Sequence, residues 1–476
     1  MLDDLRMIWL VAGRELRDQF RDWRILFPLG VLTLGFPFLM NEVAHQAVGF
    51  FAKYGTNLIA ERLIPFSILI IGFFPITISL VVALESFVGE KERGTIEPLL
   101  SAPLENSHLY FGKLLIGVLT PLVASYLSIL LYLLMVSQQR LRMPGAGTLA
   151  LLLTLTTAHA VLMVSAAIVI SVQSTSVRAA NLLASFIVIP VAILMQGESV
   201  LLFWGTDQVL WLAVAAVIIM AGLLVRLGLA HFHREYLLGR EFDSLNLRWM
   251  ATTFWDAFRG DATSPVNWYG GEMRRALRQL GTPMLIMLAI AITGFAVSYQ
   301  WATLNIPRLL SSATTKDITS LVQDARQTVG LAQAHQHLAA SFIFLNNVRA
   351  TFLVFLAGLF SFSVLGMLVY LLNVGLVGAV LGIFKIIGYS PVALFAAGLL
   401  PHGLFEIPAL MLASAVVLRM GAVLVTPQIG KSMGQIMIEQ LADWLKIFIG
   451  LVVPLLALAA IVEAYITPLI LSSVIK

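Results

Sequence analysis

Gly89–Leu104 reads GEKERGTIEPLLSAPL, a charged and turn-rich patch set between two long apolar runs. Its surroundings decide the fold. Hydrophobic residues make up 59% of the 476 and charged residues 12%, with a mean hydropathy of +0.91, far from the balance of a water-soluble domain. Such a chain belongs in a membrane. Its length supplies about ten or eleven spans of roughly 20 residues each with short loops. Lipid offers the backbone no hydrogen-bond partner and the apolar runs far exceed barrel strands, so the expected fold is all-α, a polytopic integral membrane protein. Cysteine is absent, which excludes disulfides, thiolate metal sites and cysteine nucleophiles. The pI near 9.3 reads as Lys and Arg in cytoplasmic loops, with no nucleic-acid partner implied.

Residues Leu5 to Arg24 mix Ile8, Leu16, Phe20 and Trp23 with Arg14, Arg17, Asp18, Arg21 and Arg24, as suits an amphipathic helix on the inner membrane face. No cleavable signal precedes it. Six spans are expected at Ile25–Phe50, Leu63–Val88, Leu109–Val136, Leu149–Val172, Ala179–Met195 and Val209–Leu229. The N-terminal arginines, with Lys91, Arg93 and Lys113, set the N-terminus in the cytoplasm, although Arg140 and Arg142 pull the other way. The Arg-rich stretch Phe232–Gly281 breaks at Asp261–Pro265 and reads as a cytoplasmic junction between two membrane modules.

Within the opening patch, Glu90, Lys91, Glu92 and Arg93 leave the second span, Gly94 and Thr95 turn, and Ile96–Leu100 forms a short amphipathic helix. Pro98 suits its first turn, where a missing N–H costs nothing. Pro103 closes the element, and Glu105-Asn106-Ser107 offers a cap for the next helix. Leu99 and Leu100 on such a helix fit a partner's groove, the alternative being an ordinary polar loop. The run from Glu90 through Glu97 to Pro103 closely resembles the signature between spans two and three of ABC-2 type permeases. That resemblance covers about residues 1–235. It implies that the helix couples the permease to a separate ATPase subunit, and that a broken helical hairpin lies outside between spans five and six, at Pro190–Gln208 here. It also implies the plasma (inner) membrane of a prokaryote, and six spans, half of a complete transporter, completed by a second copy or a paired permease.

No phosphate-binding loop accompanies this signature. Gly430-Lys431-Ser432 is the one GKS, but Val425 stands where the motif needs its first glycine. The chain is therefore not expected to be an enzyme and holds no cofactor itself, ATP and Mg residing on the partner.

After a span at Pro283–Tyr299 comes a more polar outer segment, Trp301–Leu345, with a surface helix expected at Ile318–Leu338. The glycine-rich run Phe352–Ile387 reads as two closely packed spans meeting near Leu372-Asn373. Pro391–Leu418, the amphipathic segment Arg419–Lys446 and a last span Phe448–Leu471 complete the chain. His402 and Glu406, one helical turn apart in an apolar span, are either a relay or ion site partnered by Asn346, Asn347 or Arg349, or a hydrogen-bonded packing clamp. Zinc would want a third ligand, and H-x-x-x-E is not the H-E-x-x-H of zinc hydrolases, so no metal site is expected. Asn346-Asn347-x-Arg349, Asn373-x-Gly375 and Pro401-His402-Gly403-x-x-Glu406 resemble the pattern of the stage II sporulation protein M (SpoIIM) family over about residues 280–475. The organisation expected is a permease domain (1–235), a cytoplasmic linker (236–281) and a SpoIIM-like domain (282–476). Three functions remain open: an ABC exporter permease, an ATP-gated complex regulating a cell-envelope process, and an intramembrane hydrolase at His402 and Glu406.

Overall fold

The computed structural model describes residues 2–53, 57–139, 143–174, 177–204, 207–232, 247–310, 336–359, 361–386, 388, 390–426, 431 and 433–474. Every element among them is helical, and ten helices are long and apolar enough to cross a membrane. The chain forms two units, residues 1–245 with 425–427, and residues 246–424 with 428–476.

The first unit comprises α1 (Leu2–Arg21), α2 (Trp23–Lys53), α3 (Asn57–Glu92), α4 (Ile96–Ser101), α5 (Asn106–Gln138), α6 (Ala146–Gln173), α7 (Val177–Trp204) and α8 (Asp207–His231). α3 is its hub, packed on α2, α5, α6 and α7, while α6 backs onto α8. Ile68, Ile71, Tyr132, Leu151, Leu155 and Val217 fill the core. Small residues bring the helices close: a Cβ on Gly72 would meet Thr156 Oγ1 at 2.7 Å. α1 is amphipathic as expected, with Val11 and Ala12 buried on α5 and Leu5, Trp9, Leu10 and Phe20 exposed.

One expectation fails here. α7 runs as one helix through Pro190 to Trp204, and this stretch is not the broken hairpin expected at Pro190–Gln208. A proline inside a membrane helix is tolerated where neighbouring groups and small local adjustments re-satisfy the backbone carbonyl it frees.

The second unit begins with the amphipathic α9 (Leu247–Arg259) and the continuous α10 (Pro265–Asn267, a π turn Trp268–Met273, and Arg274–Arg278). Much of the segment expected as a linker is thus helical, and α9 packs on the helix Met433–Ile447. α11 (Gly281–Leu310), α12 (Gln336–Leu359) and α13 (Val364–Ile386) follow, then α14 (Pro391–Leu424, with a π turn at Phe395–Leu399). α15 comprises Met433–Ile447, a π turn Phe448–Val452, Val453–Ile461, a second π turn Val462–Ile466 and Thr467–Val474. The surface helix expected at Ile318–Leu338 falls largely outside the described residues, its last three belonging to α12.

The glycine-rich run does pack closely: Gly375, Gly378 and Gly382 of α13 lie against Ser298, Phe295 and Tyr299 of α11. Its break, however, is not at Leu372-Asn373. Asn373 bonds back to the Val369 carbonyl at 2.9 Å inside α13, and the chain turns at Ser361–Ser363 instead. Ser361 Oγ accepts from the Leu365 N–H at 2.8 Å and so caps α13, and Phe362 and Ser363 take positive φ angles of 50° and 76°.

Candidate functional site

The end of α3 is fastened residue by residue. Glu90 Oε1 lies 3.3 Å from Lys113 Nζ of α5 and 3.5 Å from Arg14 of α1. Lys113, almost fully buried, also bonds Glu15 of α1 at 2.6 Å and the Ser86 carbonyl at 2.8 Å. Lys91 Nζ donates to the Val172 and Ser174 carbonyls at 2.7 and 3.0 Å. A cation there satisfies carbonyls that the end of α6 leaves open, at the negative end of its dipole. Glu92 does the converse, accepting the Val177 N–H at 2.7 Å at the positive start of α7. Two adjacent residues of α3 therefore hold both sides of the α6–α7 junction.

The turn that follows is a Schellman motif. Gly94 has φ +67°, its N–H bonds the Lys91 carbonyl, and the Thr95 N–H bonds the Glu90 carbonyl. Ile96 is buried, anchoring α4 at its first residue, whereas Arg93, Glu97, Ser101 and Pro103 are exposed. The side chains of Pro98, Leu99 and Leu100 lie outside the described residues. The cap of α5 is Glu105, whose N–H bonds His108 Nδ1 at 3.2 Å.

Sequence reading missed a pair in the middle of this unit. His159 Nε2 of α6 lies 3.3 Å from Glu198 Oε1 of α7, both fully buried, too far out of line for a hydrogen bond. His159 Nδ1 meets the Leu155 carbonyl at 3.0 Å. The signal was available: His159 is the one ionisable residue in its apolar span.

In the second unit, His402 Nε2 is 3.9 Å from Glu406 Oε2, as the four-residue spacing predicts. The expected partners do not join them. Asn346 and Arg349 are exposed on α12, and no hydrogen bond or ion pair among the described residues links them or Asn347 to His402 or Glu406. Gly358 of α12 abuts Val417 and Gly421 of α14 abuts Phe362, so the two helices run the same way. Roughly three turns back from those contacts lie Asn346–Arg349 and Phe405–Pro408, so these two resemblance motifs share a level on neighbouring helices. The partners come from α15 instead: Thr467 Oγ1 stands 3.2 Å from His402 Nδ1, and Glu463 joins His402 and Glu406 with ligand atoms within 4.8 Å of one another.

Lys431, part of the rejected phosphate-loop match, bonds Glu439 at 2.5 Å beside a cavity of about 600 Å³. Several of the cavity's charges are paired, Arg419 and Lys446 on Asp443 and Arg275 on Glu272.

These features define a multi-pass helical membrane protein with one unit built to hold a short helix at a span's end and another enclosing a polar centre. Residues 9–205 match the family described as ABC-2 family transporter protein, and residues 283–468 match stage II sporulation protein M. The chain carries an ABC-2 membrane transporter domain followed by a SpoIIM domain. The uncharacterized protein MJ0793 of Methanocaldococcus jannaschii is 29% identical over 126 residues, 26% of this chain and 69% of that relative. No solved structure matches.

Proposed function

We propose that this chain is the permease subunit of an ATP-binding cassette exporter, driven by a separate ATPase subunit that receives α4 in a groove. The observation that carries this reading is the fastening of α3's end. Glu90 joins α1 and α5, Lys91 and Glu92 join α6 and α7, and the Gly94 turn sets α4 directly beyond them. A push on α4 therefore reaches four other helices through short charged contacts. The chain supplies movement and pathway while ATP and Mg stay on the partner, and a second copy or a paired permease completes the channel.

The test is the double substitution Leu99→Glu and Leu100→Glu, which sets charges in an apolar groove. Association should weaken by about 3 kcal/mol or more, over roughly a hundredfold, while the chain still inserts. An unchanged ATPase yield on copurification would overturn the reading. Substrate-stimulated ATPase activity of the reconstituted complex in liposomes separates export from a role in envelope regulation.

The N-terminal arginines put α1 and the 246–281 region on the cytoplasmic side of a prokaryotic plasma membrane. Cysteine introduced at Ser264, an exposed helix cap, should resist an impermeant thiol reagent in intact cells and react after lysis. Labelling before lysis would reverse the topology.

A further inference from the structure

α14 and the end of α15 run antiparallel in strict register. Gly398 lies against Leu471, His402 bonds Thr467, and Glu406 faces Glu463, each step of a turn up one helix matched by a turn down the other. The π turn Val462–Ile466 lies within this stretch, and such turns recur at functional positions. Three groups from two helices thereby converge: His402 Nε2 and the carboxylates of Glu406 and Glu463.

Their hydrogen bonding is incomplete in a specific way. The Thr467 hydroxyl donates to the Val462 carbonyl at 3.3 Å, so its oxygen is left to accept from His402 Nδ1. The proton of the neutral ring is then on Nδ1, and Nε2 carries the lone pair, 3.9 Å from the Glu406 carboxylate with that of Glu463 close by. Three acceptors face one another with no donor between them. Among the described residues no Lys or Arg pairs with either Glu, and the His402 side chain is nine-tenths buried. Acceptors gathered in a membrane unit call for a cation.

We propose that His402, Glu406 and Glu463 bind one divalent transition-metal ion, of which zinc is the type. One imidazole and two carboxylates are competent zinc ligands, and Thr467 supplies the outer hydrogen bond that orients a metal-bound histidine. The size fits: His402 Nε2 and Glu406 Oε2 are 3.9 Å apart. Ligands of a tetrahedral zinc with bonds of 2.0–2.1 Å stand roughly 3.3 Å apart, so a small rotation of one side chain closes the gap. Glu406, about a third exposed, gives the ion its way in and leaves a fourth position for water. The third ligand lies far along the chain from H-x-x-x-E, which is why the motif by itself looks unfinished.

The test uses the full chain, purified without a histidine tag, stripped with chelator, reloaded with zinc and desalted. Elemental analysis should find about one zinc per chain. Glu463→Gln and His402→Gln should each hold less than about a tenth of that, and Thr467→Val should bind roughly 10- to 100-fold more weakly with its fold intact. Cobalt in place of zinc should give visible d–d absorption in the wild type only, and zinc should raise the wild-type melting temperature but not that of Glu463→Gln. Absence of stoichiometric metal from the wild type would overturn the proposal in favour of three groups sharing protons. Full zinc retention by both Glu463→Gln and His402→Gln would assign the ion to another site and overturn it equally.

Discussion

The end of α3 and the facing turns of α14 and α15 both place ionisable residues against membrane helices, yet they solve opposite problems. At the end of α3 opposite charges meet: Lys113 stands between Glu15 and Glu90, Lys91 faces helix carbonyls, and Glu92 faces a helix N–H. At α14 and α15 like meets like, with acceptors opposed to acceptors. A matched set of charges holds helices at fixed separations, which suits the transmission of movement. An unmatched set leaves room for something that is not protein. Removing a charge should therefore hurt the first region and relieve the second.

The largest effect is expected at Lys113. Lys113→Met leaves the half-buried Glu15 and Glu90 without their shared cation, with only Arg14 still beside Glu90, which should cost about 3 kcal/mol or more. Thermal unfolding in detergent should show the loss, and Glu15→Gln with Glu90→Gln in the same chain should restore much of it. A midpoint unmoved by Lys113→Met would dissolve the comparison, since the charges would then be no better matched than those on α14. Lys91→Met removes two hydrogen bonds to the end of α6 and should cost about 1 to 2 kcal/mol. Faster amide exchange confined to the α6–α7 junction would be its mark. Gly94→Ala should cost about 1 kcal/mol, because no atom obstructs a Cβ there and the left-handed backbone alone resists it.

How much of this was legible in the sequence depends on the reach of each interaction. Gly94, Thr95 and the short helix beginning at Ile96 were readable because turns and helix starts are written locally, in a glycine and in the apolar and charged residues beside it. Lys91 and Glu92 read as members of the coupling signature, but their grip on the α6–α7 junction did not show, since those partners lie beyond two further spans. The amphipathic α1 and a count of about ten or eleven spans followed from composition and periodicity, although the span expected at Ala179–Met195 is not among the ten described helices long and apolar enough to cross. The division of α12 from α13 did not, because Asn373 looked like a turn residue while Ser361 carried the cap. The broken hairpin at Pro190–Gln208 was implied by the resemblance alone, and α7 instead runs through Pro190 as a helix. His402 and Glu406 announced each other by helical spacing; Glu463, the lone acid of the last span, needed the antiparallel register to show where it points.

The smallest effect should also have the opposite sign. In metal-free protein Glu463→Gln replaces a carboxylate oxygen with an amide that can donate to Glu406 or to His402 Nε2, supplying the donor the centre lacks. A gain of about 0.5 to 1.5 kcal/mol follows if one such bond forms. No volume changes, so packing cannot account for a gain. Added zinc should then reverse the order, raising the wild-type midpoint past that of Glu463→Gln, because the variant has lost a ligand. A loss on the scale of Lys113→Met, in chelator and at every pH tried, would mean that Glu463 already has a proton-sharing partner. The two regions would then be two versions of the same matched design, and the contrast drawn between them would fail.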